Sequence, residues 1–194
     1  MNSIDARVRY TRMIIEQSFL ELLQKKPVTK ITVTELCEKA QINRATFYKH
    51  YLDVPDLLEK IEEDLFSQIR RSFGAEDIKI KDFLVRMMRY TKDNQERFFA
   101  LGGENGDPNL MMKTFMVCYE SAYPLLEQNM PGASDDHRQM LYQFVSQGGG
   151  GVLAWWVKDG MRLDPEDVAL FILCASSLAA EGMQGSDWKK QYRE

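Results

Sequence analysis

The stretch "TVTELCEKAQINRATFYKHY", residues 32–51, carries two helix-start signals close together. Thr32 is followed three residues later by Glu35, the capping-box spacing, in which the Thr hydroxyl accepts from the backbone N–H at 35 and the Glu reaches back. The β-branched run "KITVTEL" is therefore read as a helix start and not as a strand, and the spacing predicts a helix over about 33–40. Asn43 is a favoured N-cap for a second helix over about 44–51. Only Gln41 and Ile42 lie between them, and two short helices joined so tightly cross at a steep angle. At roughly 100° per residue, Phe47 and Tyr51 share one face of the second helix, and Ala45 and Lys49 nearly the opposite one. Thr46 and Tyr48 fall on the flanks and Arg44 at the start. One side is built for a core, and the other offers a small residue, bases and hydroxyls.

Helical spacing continues outward from there. Ile4, Val8, Ile15, Phe19 and Leu22 make one stripe, so about 5–25 reads as a helix that stops at Pro27. "DVPDLLEKIEEDLFSQIRRSF" runs helical to about 73, and Gly74 ends it. Further helices are predicted over about 78–93, at "QERFFALGG", and over "NLMMKTFMVCYESAYPLLEQN" with a kink at Pro124. "MPGASDD" is a loop, "HRQMLYQFVSQGGGGVLAWWVKDG" a helix, and "DPEDVALFILCASSLAAEGM" another, opened by Asp164 as N-cap and Pro165 as first residue. The last residues, "GSDWKKQYRE", read as frayed. The fold class is all-α.

The chain has 194 residues, 44% hydrophobic and 28% charged, an ordinary composition for a soluble globular protein. The longest apolar run, Val168 to Ala180, is short of the roughly 18–20 residues that span a bilayer. The N-terminus has charge where a signal peptide needs apolar residues, so a cytoplasmic location and no membrane partner are expected. Residues 1–52 hold nine Lys/Arg against five acids, +4, while the remaining 16 and 24 give −8. A basic N-terminal part on an acidic body suggests a local anionic partner. Cys37, Cys118 and Cys174 are widely spaced and are read as reduced, buried, structural thiols. No zinc spacing, nucleophile elbow or dinucleotide fingerprint occurs, and the two histidines, His50 and His137, lie far apart. No catalytic residue, metal site or cofactor is therefore expected, and the chain is not read as an enzyme. Gly148–Gly151 lacks both the preceding strand and the following Gly-Lys-Ser/Thr of a phosphate loop.

The open side of 44–51 suits a helix lying in a DNA major groove. Ala45 lets the backbone approach base edges, Arg44 and Lys49 reach guanine acceptors or phosphates, and Thr32, Thr46, Tyr48 and His50 can donate to phosphate oxygens. Periodicity alone does not separate this from a packing helix with a solvated face.

"TVTELCEKAQINRATFYKHYLDVPDLLEKI" resembles the N-terminal domain of the TetR family of bacterial transcriptional regulators, and the likeness extends back over about residues 5–65. The resemblance implies a three-helix helix-turn-helix DNA-binding domain at 5–65, a helical ligand-binding and dimerisation domain at 75–185, and a homodimer. Such a protein is usually a repressor released by a small-molecule effector, and its partner is double-stranded DNA with a near-palindromic operator. It places Thr32, Asn43, Thr46, Tyr48 and His50 at phosphates and Arg44, Ala45 and Lys49 toward bases. Two positions depart from the family. Gln41 stands where the turn normally has Gly, and "LDVPD" puts Val54 or Pro55 where a phosphate-binding Lys is usual. The second departure keeps an alternative open, a dimeric protein-binding adaptor that has lost specific DNA binding.

Beyond residue 75, "GGGGVLAWWVKDGMRLDPEDVA" looks like the last two helices of the subgroup that includes dihydroxyacetone-kinase regulators, where they form the dimer interface. Trp155, Trp156, Phe171 and Leu178 are the candidates for it, although the adjacent tryptophans point about 100° apart, so one of them enters the core. Four helical glycines cost several times about 0.8–1 kcal/mol, so close packing must offset them or the helix is distorted. Met87, Phe98, Met112, Phe115, Met116 and Tyr119 suit the lining of a pocket for a small apolar effector, or an ordinary core.

Overall fold

The computed structural model describes residues 3–73, 79–120 and 133–183, with side chains over 6–71, 79–117 and 133–183. These residues form α1 (Ser3–Leu23), a 3-10 turn (Val28–Lys30), α2 (Val33–Ala40), α3 (Arg44–Tyr48), α4 (Val54–Phe73), α5 (Ile80–Asp93), α6 (Gln95–Gly102), α7 (Leu110–Glu120), α8 (Asp135–Lys158) and α9 (Pro165–Gly182). The described residues contain no strand, and the chain is all-α. The expected stop at Gly74, the kink at Pro124, part of the "MPGASDD" loop and the fraying of 185–194 lie outside the described residues.

The chain divides into two compact units. The first comprises residues up to 67 together with Glu96–Leu110, and the second comprises Gln68–Gln95 and residues from Met111 onward. The boundary differs from the expected 5–65 and 75–185, because most of α6 and the loop after it belong to the first unit. Arg97 Nη2 donates to Ile61 O at 3.1 Å, and Val28 N–H donates to Asn105 O at 3.0 Å.

In the first unit α1 packs on α2, and α2 on α3. Ile15, Phe19 and Leu23 of α1, Leu36 of α2, Phe47 of α3, and Leu57 and Leu65 of α4 are fully buried. Val8, read as part of the α1 stripe, is exposed instead, so the apolar face of α1 begins only near Ile15. Thr32 caps α2, its hydroxyl accepting from Glu35 N at 3.3 Å. The second half of the expected capping box is absent, because the Glu35 carboxylate pairs with Lys26. Lys39 in the last turn of α2 pairs with Glu21 of α1 at 2.6 Å. Cys37 is buried, which pushes its thiol pKa up.

In the second unit α9 packs on α5 and on α8. Lys81 and Arg89 of α5 both reach the Glu166 carboxylate, at 3.6 and 3.3 Å. The glycine run does not break α8, which is one continuous helix of 24 residues. Its glycines divide by face. A Cβ on Gly149 would lie 2.1 Å from Phe115 Cζ, and one on Gly150 would lie 2.7 Å from Met112 Sδ. Close approach of α7 requires glycine at those two places. A Cβ on Gly148 or Gly151 would meet no atom within 4 Å. Gly149→Ala should therefore lower the melting temperature, since overpacking costs about 1–3 kcal/mol and outweighs the gain in helix propensity of about 1 kcal/mol. Gly151→Ala should not lower it. Thermal unfolding followed by circular dichroism compares the two.

α8 ends in a left-handed turn at Gly160 (φ 77°) and Met161 (φ 53°). There Met161 N–H donates to Trp156 O at 2.8 Å and Gly160 N–H to Val157 O at 3.0 Å, the two bonds of a Schellman cap. Asp164 caps α9 with its carboxylate on Glu166 N at 2.8 Å and Pro165 follows, as expected. Cys174 on α9 is exposed, contrary to the expectation of buried thiols, because its side of α9 faces away from the packing on α5 and α8. The Cys118 side chain lies outside those described.

Candidate nucleic-acid interface

The turn between α2 and α3 is a Schellman motif built without glycine. Ile42 N–H donates to Cys37 O at 3.0 Å and Gln41 N–H to Glu38 O at 3.2 Å, with Gln41 at φ 54°. Holding a side chain in that region costs about 1 kcal/mol. Asn43 then starts α3, its Oδ1 accepting from Thr46 N at 2.7 Å and from Thr46 Oγ1 at 2.9 Å. The helix is shorter than the expected 44–51. It ends at Tyr48, and a final turn continues through His50 N to Phe47 O (2.9 Å) and Tyr51 N to Phe47 O (3.0 Å).

The two faces separate as the spacing predicts. Phe47 is 0% and Tyr51 2% exposed, whereas Arg44, Ala45, Tyr48 and Lys49 are exposed to solvent. Arg44 Nη2 donates to Tyr48 Oη at 3.3 Å, and its guanidinium lies 5.9 Å from the centre of the Tyr48 ring. The Tyr48 hydroxyl keeps its own hydrogen for an external acceptor. Thr32 likewise accepts from Glu35 N and retains its hydroxyl hydrogen. Thr46 differs from its expected role, because its hydrogen is already given to Asn43. Asn43 keeps its amide NH₂ as donor. His50 is half-buried, and burial first, then the charges of Arg12 and Lys49, lower its pKa.

The aromatic end of this segment is clamped from two sides by residues that the sequence did not single out. Tyr51 Oη donates to Glu16 Oε1 of α1 at 3.1 Å. Arg12 lies 3.8 Å from the same carboxylate and donates to Asp64 Oδ2 of α4 at 3.0 Å. From the other side Lys60 Nζ donates to His50 O at 3.2 Å and to Asp56 Oδ2 at 2.9 Å, and sits 5.5 Å from the centre of the Tyr51 ring. Burial pushes the Tyr51 phenol up to about 12, so it stays protonated and donating. The i,i+4 spacings of Arg12 with Glu16 and Asp56 with Lys60 were the available signal. Tyr51→Phe should cost about 1 kcal/mol of stability, the typical net worth of one hydrogen bond. Urea unfolding measures it.

The remaining candidates lie in the second unit, apart from Phe98. Trp155, Phe171 and Leu178 are more than half exposed, as are Met140 and Phe144. Gly148, Gly151, Trp155, Leu163, Asp167 and Phe171 are among the residues lining an apolar groove of about 580 Å³ along α8 and α9. Trp156 must be corrected. It is fully buried, and its indole N–H donates to Leu163 O at 3.1 Å, so it anchors the core of the second unit. Of the effector candidates, Met87 and Phe115 are buried and Met112 and Met116 half-buried. Phe115 and Met112 pack on Gly149 and Gly150. Phe98 is buried in the first unit, and the Tyr119 side chain is outside those described.

Residues 79–173 match the TetR-type family described as the transcriptional regulator C-terminal region. The chain is 40% identical over 175 residues to the uncharacterized HTH-type transcriptional regulator YxbF of Bacillus subtilis (strain 168), covering 86% of this chain and 44% of that protein. It is 27% identical over 108 residues to the HTH-type dhaKLM operon transcriptional activator DhaS of Lactococcus lactis, covering 49% of this chain and 57% of that protein. A TetR transcriptional regulator from Streptococcus agalactiae 2603V superposes with a TM-score of 0.69 at 25% identity, covering 90% of this chain and 99% of that one. The chain carries a TetR-type C-terminal region and shares the fold of TetR regulators. The α2–α3 pair, two short helices joined by a tight turn, has the form of a helix-turn-helix. The chain spans about half the length of the two curated relatives. Among the described residues no helix is long and apolar enough to cross a membrane.

Proposed function

We propose that this TetR-type chain is a homodimeric, sequence-specific DNA-binding regulator acting in the cytoplasm, with α3 as the helix that enters the major groove. One observation carries the reading: a single short helix buries Phe47 beside the buried Tyr51 and turns Arg44, Ala45, Tyr48 and Lys49 outward. Arg44 and Lys49 serve base edges and nearby phosphates, while Ala45 allows close approach. Tyr48, Thr32, Asn43 and His50 supply donors to phosphate oxygens, with Thr46 holding the cap.

The exposed stripe of Met140, Phe144, Trp155, Phe171 and Leu178 supports pairing of two copies through α8 and α9, since so much apolar surface is seldom left to water. A two-fold dimer presents two copies of α3 to a near-palindromic site. The protein acts as a repressor released by a small apolar effector. The methionine and aromatic content of α5 and α7 supports that part, and an effector works only by preferring the conformation that does not fit DNA.

Fluorescence anisotropy with duplex DNA from the protein's own upstream region tests the reading. Lys49→Ala should weaken binding by about 1–3 kcal/mol, the worth of one good base contact, with no change in melting temperature. Unaltered affinity in both Lys49→Ala and Tyr48→Phe would speak for the protein-binding adaptor instead.

A further inference from the structure

Among the cations of the first unit, Arg44 and Arg97 are hydrogen-bonded to Tyr48 Oη and Ile61 O, and the others are either ion-paired or unpaired. Arg12, Lys26, Lys39 and Lys60 are held in ion pairs with Asp64, Glu35, Glu21 and Asp56. Among the described residues, Arg7 and Arg9 in the early turns of α1, Lys25 just past its end, Lys30 just before α2, and Lys49 make no hydrogen bond or ion pair through their side chains. Paired cations hold the unit together. Unpaired, exposed ones leave positive charge for an external anion, and Lys49 belongs to the proposed DNA face.

The packing of α1 places its beginning beside that face. Glu16 receives the Tyr51 hydroxyl, and Arg12, one turn earlier, lies against the same carboxylate. Arg9 is three residues before Arg12, about 4.5 Å farther along the axis at 1.5 Å per residue and about 60° around it. It therefore shares the side of α1 that meets the end of the recognition segment, but extends past it into solvent. Arg7 lies on the opposite flank of the same turn. Val54, which stands where the family resemblance expects a phosphate-binding lysine, is buried and committed to the core.

Resting on the DNA-binding reading above, we infer that the start of α1 is a second backbone-contacting element, in which Arg9 grips phosphates flanking those met by Lys49 and His50 and takes the place of the missing lysine at Val54. Contacts of this kind carry no sequence information, and they appear in the salt dependence of binding.

The test is a salt titration of binding to a labelled random-sequence duplex, from about 50 to about 200 mM salt, by anisotropy. Arg9→Gln should make the slope of log K against log salt shallower by about 0.9 for every phosphate no longer neutralised, or about 1.8 for a two-fold dimer. Arg7→Gln together with Arg9→Gln should do so at least as much. Lys25→Gln, at the other end of α1, is the control and should leave the slope alone. Melting temperatures should be unchanged, since neither arginine has a side-chain partner among the described residues to lose. An unaltered slope in the double variant, with Lys49→Ala still weakening binding, would overturn the inference and leave the DNA-binding reading standing. Loss of effect in Lys49→Ala as well, or no binding by the unmodified protein, would overturn both.

Discussion

Ala45→Glu is expected to abolish specific DNA binding, by about 100-fold or more, while the protein stays folded. The side chain at 45 is exposed, and it sits near the start of α3. A carboxylate near a helix N-terminus is favourable by roughly 0.3–1 kcal/mol, so the variant has no reason to unfold. On DNA the same carboxylate meets base edges and phosphates from which the small side chain had kept clear, and like charges brought together cost several kcal/mol. Circular dichroism should show an unchanged melting curve, and anisotropy should show no binding at concentrations that saturate the unmodified protein. Retained affinity would remove Ala45 from the interface.

The two adjacent tryptophans should behave as opposites. Trp156→Ala is expected to cost about 3–5 kcal/mol, the range for truncating a buried large aromatic residue, and it also leaves the Leu163 carbonyl without its donor. Against a typical total stability of about 5–15 kcal/mol, this reduces the folded population sharply. Trp155 is half exposed, so Trp155→Ala should leave the melting temperature of a dilute, monomeric sample nearly unchanged. Its effect should appear in sedimentation velocity, as a dimer that dissociates at higher concentration. Chemical unfolding and sedimentation of both variants separate core from interface one residue apart.

Much of the helix-turn-helix was legible because its signals are local. Thr32 and Asn43 announced both N-caps, and the spacing of Phe47 and Tyr51 gave the buried face. The positive φ at Gln41 could be anticipated only through the family's glycine at that position. The misreadings concern choices between competing partners. Glu35 sits correctly for a capping box but pairs with Lys26, and Thr46 spends its hydrogen on Asn43. Spacing names candidate partners and cannot rank them. The clamp of Glu16, Arg12 and Asp64 on Tyr51 was hidden because it joins residues far apart in the chain. Neither Trp156 nor the glycine faces could be assigned without knowing which helix passes α8 on which side. The run Gly148–Gly151 reads the same along its length, yet only Gly149 and Gly150 receive side chains from α7.

Selection of bound sequences from a random duplex pool, using the unmodified protein, tests most directly whether two copies of α3 read DNA together. The predicted outcome is an enriched inverted repeat whose half-sites are centred one helical turn apart, about 34–36 Å, or a multiple of it. A pool that stays random after repeated rounds, or that yields a single unpaired motif, would contradict the account.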